Sequence, residues 1–312
     1  MADILTVAFL VTLVQATVRM ATPLLFTALG EAMSERTGVL NIGLEGIMLI
    51  GAFTGFAVTF YTGANWVGTV AALIAGGLVG LAFAAVCVTL RSNQVIVGAA
   101  LNMLGIGLTG FLYRKYFTAS ATSILIERYE AIAIPGLSRL PIIGPALFQQ
   151  NILVYIAFAL VPIAAFVLHK TSWGLEIIAA GQHPKAADTV GINVFRVRYI
   201  AVIVGGMLAA LGGSFLSMGH SVTFLEGMTT GRGFISLAVV IFGRWSPFGV
   251  LAAALLFGCA NAFQLRLQAM GVAIPHYIVL MIPYIFTILA VVVASKRITA
   301  APAALAQPYE KV

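Results

Sequence analysis

From Ser34 to Gly55 the chain reads S-E-R-T-G-V-L-N-I-G-L-E-G-I-M-L-I-G-A-F-T-G. A charged pair, Glu35 and Arg36, is followed by Asn41 and Glu45 within a run that is otherwise Gly, Leu, Ile and Met. A carboxylate at the head of an apolar segment is costly in lipid, roughly 3 kcal/mol on insertion scales. Gly38, Gly43, Gly46 and Gly51 loosen the helix and admit a second backbone. An interrupted helix with polar groups at membrane depth marks a translocation pathway. The competing reading has Glu45 capping a helix start at the water interface, with the glycines serving only packing. The residues alone leave both open.

The flanking sequence sets the class. Of 312 residues, 61% are hydrophobic and 9% charged, against about 25% charged in soluble domains. Mean hydropathy is +1.05. The apolar runs are helix-length and do not alternate, which excludes a barrel. The expectation is an all-α polytopic membrane protein with about ten transmembrane or half-membrane helices. They are drawn at 4–19, 21–34, 39–60, 66–90, 94–113, 148–169, 197–219, 231–243, 247–264 and 274–294. The first two are a single helix or a pair broken near Arg19 and Pro23, and 231–243 is short enough to be a half-helix. The N-terminal M-A-D-I-L-T-V lacks a basic region and reads as the start of a membrane helix. The excess of 17 Lys and Arg over 10 Asp and Glu follows the positive-inside rule rather than nucleic-acid binding. Lys170, Lys185, Arg196 and Arg198, with Lys296 and Arg297, place loop 170–198 and both termini in the cytoplasm. Loop 114–147 then lies outside. Residues 1–299 form one transmembrane domain, and 300–312 a disordered cytoplasmic tail.

Catalytic motifs are missing. The chain has no G-x-x-x-x-G-K-[ST], no H-E-x-x-H and no G-x-S-x-G. His169, His183, His220 and His276 lack ligand spacing, and Cys87 and Cys259 sit in apolar runs as packing residues. The expectation is no enzyme, no metal and no cofactor in this chain.

Two further stretches carry information. In W-G-L-E-I-I-A-A-G-Q-H-P-K-A-A-D-T-V-G-I, Trp173 to Ile192, a short helix over 175–180 ends at Gly181. A second starts at Pro184 and ends at Gly191. Such helices are too short to stand alone. Leu175, Ile178, Ala179, Ala186, Ala187 and Val190 offer a small, apolar docking surface; the alternative is a helix pair lying on lipid headgroups. In T-T-G-R-G-F-I-S, Gly231 and Arg232 precede a short helix whose N-terminus suits a polar or anionic group. The alternative there is Arg232 snorkelling to headgroups. Asn102 and Asn261 lie in apolar spans and need partners.

Read together, these motifs resemble ABC importer permeases of the branched-chain amino acid/ribose permease superfamily, in its nucleoside (simple-sugar-type) branch. S-E-R-T-G-V-L-N-I-G-L-E-G-I-M-L-I-G-A-F, the loop G-L-E-I-I-A-A-G-Q-H-P-K-A-A-D-T-V-G-I, G-R-G-F-I-S-L-A-V-V-I-F-G-R-W-S-P-F-G and Q-L-R-L-Q-A-M-G-V-A-I-P all match its pattern in order. Loop 114–147 and the tail match loosely. The resemblance implies half of a pore. A second permease subunit, commonly a different gene product, supplies the other half. ABC ATP-binding domains below bind ATP and Mg, and an extracytoplasmic lipoprotein delivers the solute. It implies a bacterial inner-membrane location, with lipid as the only other partner and no nucleic acid. By resemblance, coupling to the ATPase falls on Gly174, Leu175, Ala179, Ala180, Gly181, Pro184, Ala186, Ala187 and Gly191. The pathway falls by resemblance on Asn41, Glu45, Gly46, Gly231, Arg232 and Ser236, and the buried amide of Asn102 is added to it from the residues themselves. Nucleosides are the expected cargo, with simple sugars second. Phe53, Phe56, Phe224 and Phe234 are candidates for stacking on a base. An ion-coupled secondary transporter and a channel are the readings from other classes, but neither accounts for the docking loop.

Overall fold

The structure is a computed structural model that describes residues 7–117, 125–133, 135, 136, 138, 144, 147–269, 281, 285 and 301–310. Its first helix, α1, runs without interruption over Val7–Arg36, where two segments were drawn. Pro23 lies inside it. A proline forfeits one backbone bond, whereas a break in lipid would strand several. Thr22 and Thr27 return their hydroxyls to the carbonyls of Val18 and Pro23, at 2.8 and 2.9 Å.

The chain continues through α2 (Leu44–Thr62), α3 (Asn65–Ala84, closed by a π turn over Ala85–Thr89) and α4 (Gln94–Phe117). A small antiparallel pair joins β1 (Ala131–Ala133), in the loop drawn over 114–147, to β2 (Gln149–Asn151), which takes the first residues of the segment drawn as 148–169. Then come α5 (Ile152–Lys170), α6 (Ser172–Gln182), α7 (Pro184–Thr189) and α8 (Val194–Ser214, with a π turn over Phe215–His220). The last are α9 (Arg232–Phe242) and α10 (Pro247–Ala269).

Among the described residues seven helices are long and apolar enough to cross a membrane, so this is a multi-pass membrane protein. Among the described residues the expected count of about ten is not confirmed. The first two segments are one helix, and 231–243 holds an 11-residue helix too short to span, as expected of a half-helix. Segment 274–294 lies outside the described residues but for 281 and 285.

Helix α8 is the hub, packed against α1, α2 and α3, while α1 also lies along α10. Lipid provides no hydrophobic force between helices, so contact depends on close backbone approach. A Cβ at Gly213 would strike the Met48 carbonyl, and one at Gly51 would strike the Ala210 backbone. Helix α4 rests on α2 through Gly98, Asn102 and Gly105 and turns Ile96, Met103 and Leu104 outward.

The tail is not disordered across 301–310, as composition had suggested. Ala304 N donates to the Gly181 carbonyl at 2.9 Å and Ala306 N to the Gly38 carbonyl at 3.0 Å. Tyr309 is buried. Small residues let this segment lie flat on the helix ends, which composition alone does not reveal.

Candidate functional site

Between α1 and α2 the backbone leaves helical geometry over residues 37–43 while still buried. Every buried N–H exposed by that break needs an acceptor. The carbonyls of Ser34 and Glu35 take those of Thr37, Gly38 and Val39, and side chains supply further acceptors. Leu40 N donates to Gln94 Oε1 at 2.8 Å and Asn41 N to Glu31 Oε1 at 2.7 Å. Gly43 N donates to Asn41 Oδ1 at 2.9 Å and Gly46 N to Asn102 Oδ1 at 2.8 Å. Asn102 Nδ2 completes the pairing by donating to the Ile42 carbonyl at 3.0 Å. Asn41 and Asn102 therefore mend a broken helix. Gly46 is where α4 comes closest, since a Cβ there would lie 2.5 Å from the Leu101 carbonyl oxygen.

The break brings Glu45 against the start of α9. Its carboxylate accepts from Gly231 N at 2.8 Å, from Gly233 N at 2.7 Å and from the Thr229 hydroxyl. These are the free donors of a helix N-terminus, where negative charge is favoured. Gly231, at φ +82°, turns the chain into the helix. Glu45 thus does cap a helix, but the distant short helix α9 rather than its own. Ser236 is fully buried, and its hydroxyl returns to the Arg232 carbonyl at 2.9 Å. Arg232 Nη1 folds back onto Met228 O, Thr229 O and Thr230 Oγ1.

The other end of α9 is held from the same stretch. Trp245 Nε1 donates to Glu35 Oε2 at 2.6 Å, and Arg36 Nε donates to the Trp245 carbonyl at 2.8 Å. Arg244 and Trp245 both adopt positive φ, 53° and 54°. Left-handed geometry costs a non-glycine residue on the order of 1–3 kcal/mol, so the grip on Trp245 also offsets strain. The short helix is therefore fixed at one end by Glu45 and at the other by Glu35 and Arg36.

Glu31, Gln94, Thr229, Trp245 and Arg198 were missed as members of this network. Glu31 is 1% exposed, four residues before Glu35 on the same helix face. The rule that singled out Glu45, a carboxylate in an apolar run, also finds Glu31. Its Oε2 is buried with no hydrogen-bond partner among the described residues. Of the expected stacking aromatics, Phe56 and Phe224 are fully buried. They pack with Tyr113 and Phe117 at centroid distances of 5.2 to 6.3 Å and offer no free face. Phe53 joins that cluster, while Phe234 is 48% exposed. No group of three or more His, Cys, Asp or Glu suited to a metal occurs among the described residues.

The α6–α7 hairpin matches the expected helix pair, with one correction. Gly181 does not end the first helix. It lies inside α6, buried against α1, where a Cβ would strike the Arg36 carbonyl. Ala180 is fully buried beside it and Ala187 nearly so. These small groups fit the chain's own interior rather than a partner's groove. Gly174 is also buried, packed on the end of α5, and the Thr171 hydroxyl caps that turn, accepting from Gly174 N at 3.2 Å. Pro184 occupies the first turn of α7, and Gly191, at φ +90°, follows its end. Leu175, Ala186, Val190 and Gly191 face outward, and Ala179 is half-buried.

Comparison with known proteins agrees with this architecture. The family model described as branched-chain amino acid transport system / permease component matches residues 13–293. The guanosine ABC transporter permease protein NupQ of Bacillus subtilis (strain 168) is 41% identical over 96% of this chain and 96% of its own. The protein named "Putative glucose ABC transporter permease protein TsgC13", from Haloferax volcanii, is 42% identical over 86% of this chain and 81% of its own. The nucleoside ABC transporter permease protein NupC of Lactococcus lactis subsp. cremoris is 37% identical over 86% and 87%. No solved structure matches. A multi-pass helical chain matched by this family model over most of its length, and by these relatives at such identity, belongs to the branched-chain amino acid transport system / permease component family.

Proposed function

We propose that this chain is the permease subunit of an ATP-driven importer and forms half of the path for nucleosides. The observation that carries this is the similarity to the guanosine permease NupQ across 96% of both chains. Around the α1–α2 break the carboxylate of Glu45 is taken up by α9, and the other polar groups, Asn41, Asn102, Thr229 and Ser236, are amides and hydroxyls bonded within the chain. A neutral, hydroxyl-rich cargo calls for surroundings without a ring of charge.

A second permease subunit completes the pore. The outward face of α4 is available to it, with Met103 at 77% exposure and little of the helix covered. A separate ATPase binds ATP and Mg and docks on the outward residues of the α6–α7 hairpin, chiefly Leu175, Lys185, Ala186 and Val190. A binding lipoprotein delivers the cargo from outside. The membrane is the bacterial inner membrane, with the hairpin and both termini in the cytoplasm.

The similarity to TsgC13 favours a second reading, a simple sugar as cargo. Uptake of labelled guanosine, uridine, ribose and glucose, in cells with and without the gene, separates the two. Loss of guanosine and uridine uptake alone is the expected result. Loss of sugar uptake with nucleosides untouched overturns the cargo. Absence of any ATPase copurifying in mild detergent overturns the importer.

A further inference from the structure

The segment 301–310 joins two parts of the molecule that lie far apart in sequence. Ala304 N bonds the Gly181 carbonyl of the hairpin and Ala306 N bonds the Gly38 carbonyl of the α1–α2 break, at 2.9 and 3.0 Å. Arg198, on α8 and 1% exposed, repeats the pattern: Nε donates to the Thr37 carbonyl at 3.1 Å and Nη1 to the Gln307 carbonyl at 3.2 Å. Its guanidinium also lies 5.8 Å from the centre of the Tyr309 ring, within cation–π range. Tyr309, 3% exposed, packs with Met33, Ile177, Ala180 and Ala187 and sits 5.4 Å from the Phe195 ring. Glu310 pairs with Arg91 at 2.8 Å.

These contacts matter because of what they bridge. The hairpin touches the end of α1 and the start of the break where Gly181 meets Arg36 and Gly38, yet among the described residues no hydrogen bond joins hairpin and break directly. Arg36 in turn grips Trp245 at the end of α9. A push on the hairpin is passed through that touching point to α9 most fully when hairpin and break move as one.

We propose that residues 301–310 are a strap binding the α6–α7 hairpin to the α1–α2 break, with Arg198 and Tyr309 as its positioning residues. The strap makes the two a single body, so that displacement of the hairpin is delivered to both ends of α9. This rests on the importer reading, in which the hairpin receives the ATPase stroke.

The test uses the whole importer, reconstituted with its ATPase, partner permease and binding protein. Variants lacking residues 301–312, and the point variant Tyr309→Ala, are compared at equal protein. The expected result is that substrate-stimulated ATP hydrolysis and uptake fall about tenfold, a typical size for coupling between sites. Basal hydrolysis per assembled importer persists. Tyr309→Phe, which keeps the ring, restores stimulation. Amides of Ala304 and Ala306 exchange slowly in the intact protein and quickly in Tyr309→Ala. If the deletion prevents accumulation, Tyr309→Ala decides. Stimulation and exchange unchanged in Tyr309→Ala overturn the strap, as does a loss confined to the amount of protein with each importer as active as before. No ATPase associating with the intact chain overturns the importer reading itself, a separate outcome.

Discussion

Glu45→Ala is the sharpest test of how the short helix α9 is held. The carboxylate accepts from two backbone N–H groups and one hydroxyl, and Glu45 is 6% exposed. Hydrogen bonds to a charged group are worth about 1.5–3 kcal/mol each, and an orphaned buried donor carries its own penalty. The Gly231 amide is only partly buried and can find water once freed. Thr229 and Gly233 are buried and cannot. Weighting them so, removal of the carboxylate costs about 4 kcal/mol, roughly a thousandfold in the equilibrium for opening the start of α9. Glu45→Gln keeps one acceptor oxygen but turns an NH2 toward a backbone donor. It should lie midway, at about 2 kcal/mol. The assay is hydrogen exchange of peptide 229–237 in purified protein, alongside uptake per molecule in the membrane. Exchange should accelerate in the order wild type, Gln, Ala, and uptake should fall further than protein level. Unchanged exchange in Glu45→Ala would refute the reasoning, because α9 would then be held by packing alone.

Trp245→Phe removes the indole donor from a buried Glu35 while keeping an aromatic ring. It should cost about 2–3 kcal/mol, seen as a lower unfolding midpoint together with reduced uptake; a wild-type midpoint would sink the clamp. Gly181→Asp forces a side chain into the Arg36 carbonyl and should abolish uptake and substrate-stimulated hydrolysis while the protein still inserts. Normal transport by that variant would refute the close packing of the hairpin on the end of α1. With Cys87 and Cys259 replaced, single cysteines at His183 and Val312 should resist an impermeant reagent in intact cells, and one at Glu130 should react. Labelling at 183 from outside would invert the topology.

What could be read beforehand followed the cost of polarity in lipid. The apolar runs gave the helical class, and Asn41, Glu45 and Asn102 stood out because each needs a partner there. The hairpin was visible in Pro184 and Gly191, whose backbone preferences are local. Long-range pairing was not visible. Nothing near Glu45 announces that its partners lie at 229–233, or that Trp245 answers Glu35. Gly181 was misread for a related reason. A glycine that ends a helix and one that admits a neighbouring backbone look alike in one dimension, and only the position of Arg36 separates them. Arg198 was counted as a loop cation by the positive-inside rule, yet it is buried with backbone carbonyls as its acceptors.

The two-ended hold on α9 has a consequence for engineering hybrids. Glu35, Arg36 and Glu45 lie within one short stretch, while their partners span 229–245. Neither segment is complete as a graft. Exchanging residues 34–55 between related chains without 229–246 would set one parent's side chains against the other's backbone turns at both ends of the helix. Moved together, the two segments carry their own geometry with them, and a recombination library should find viable crossovers outside the pair rather than between its members.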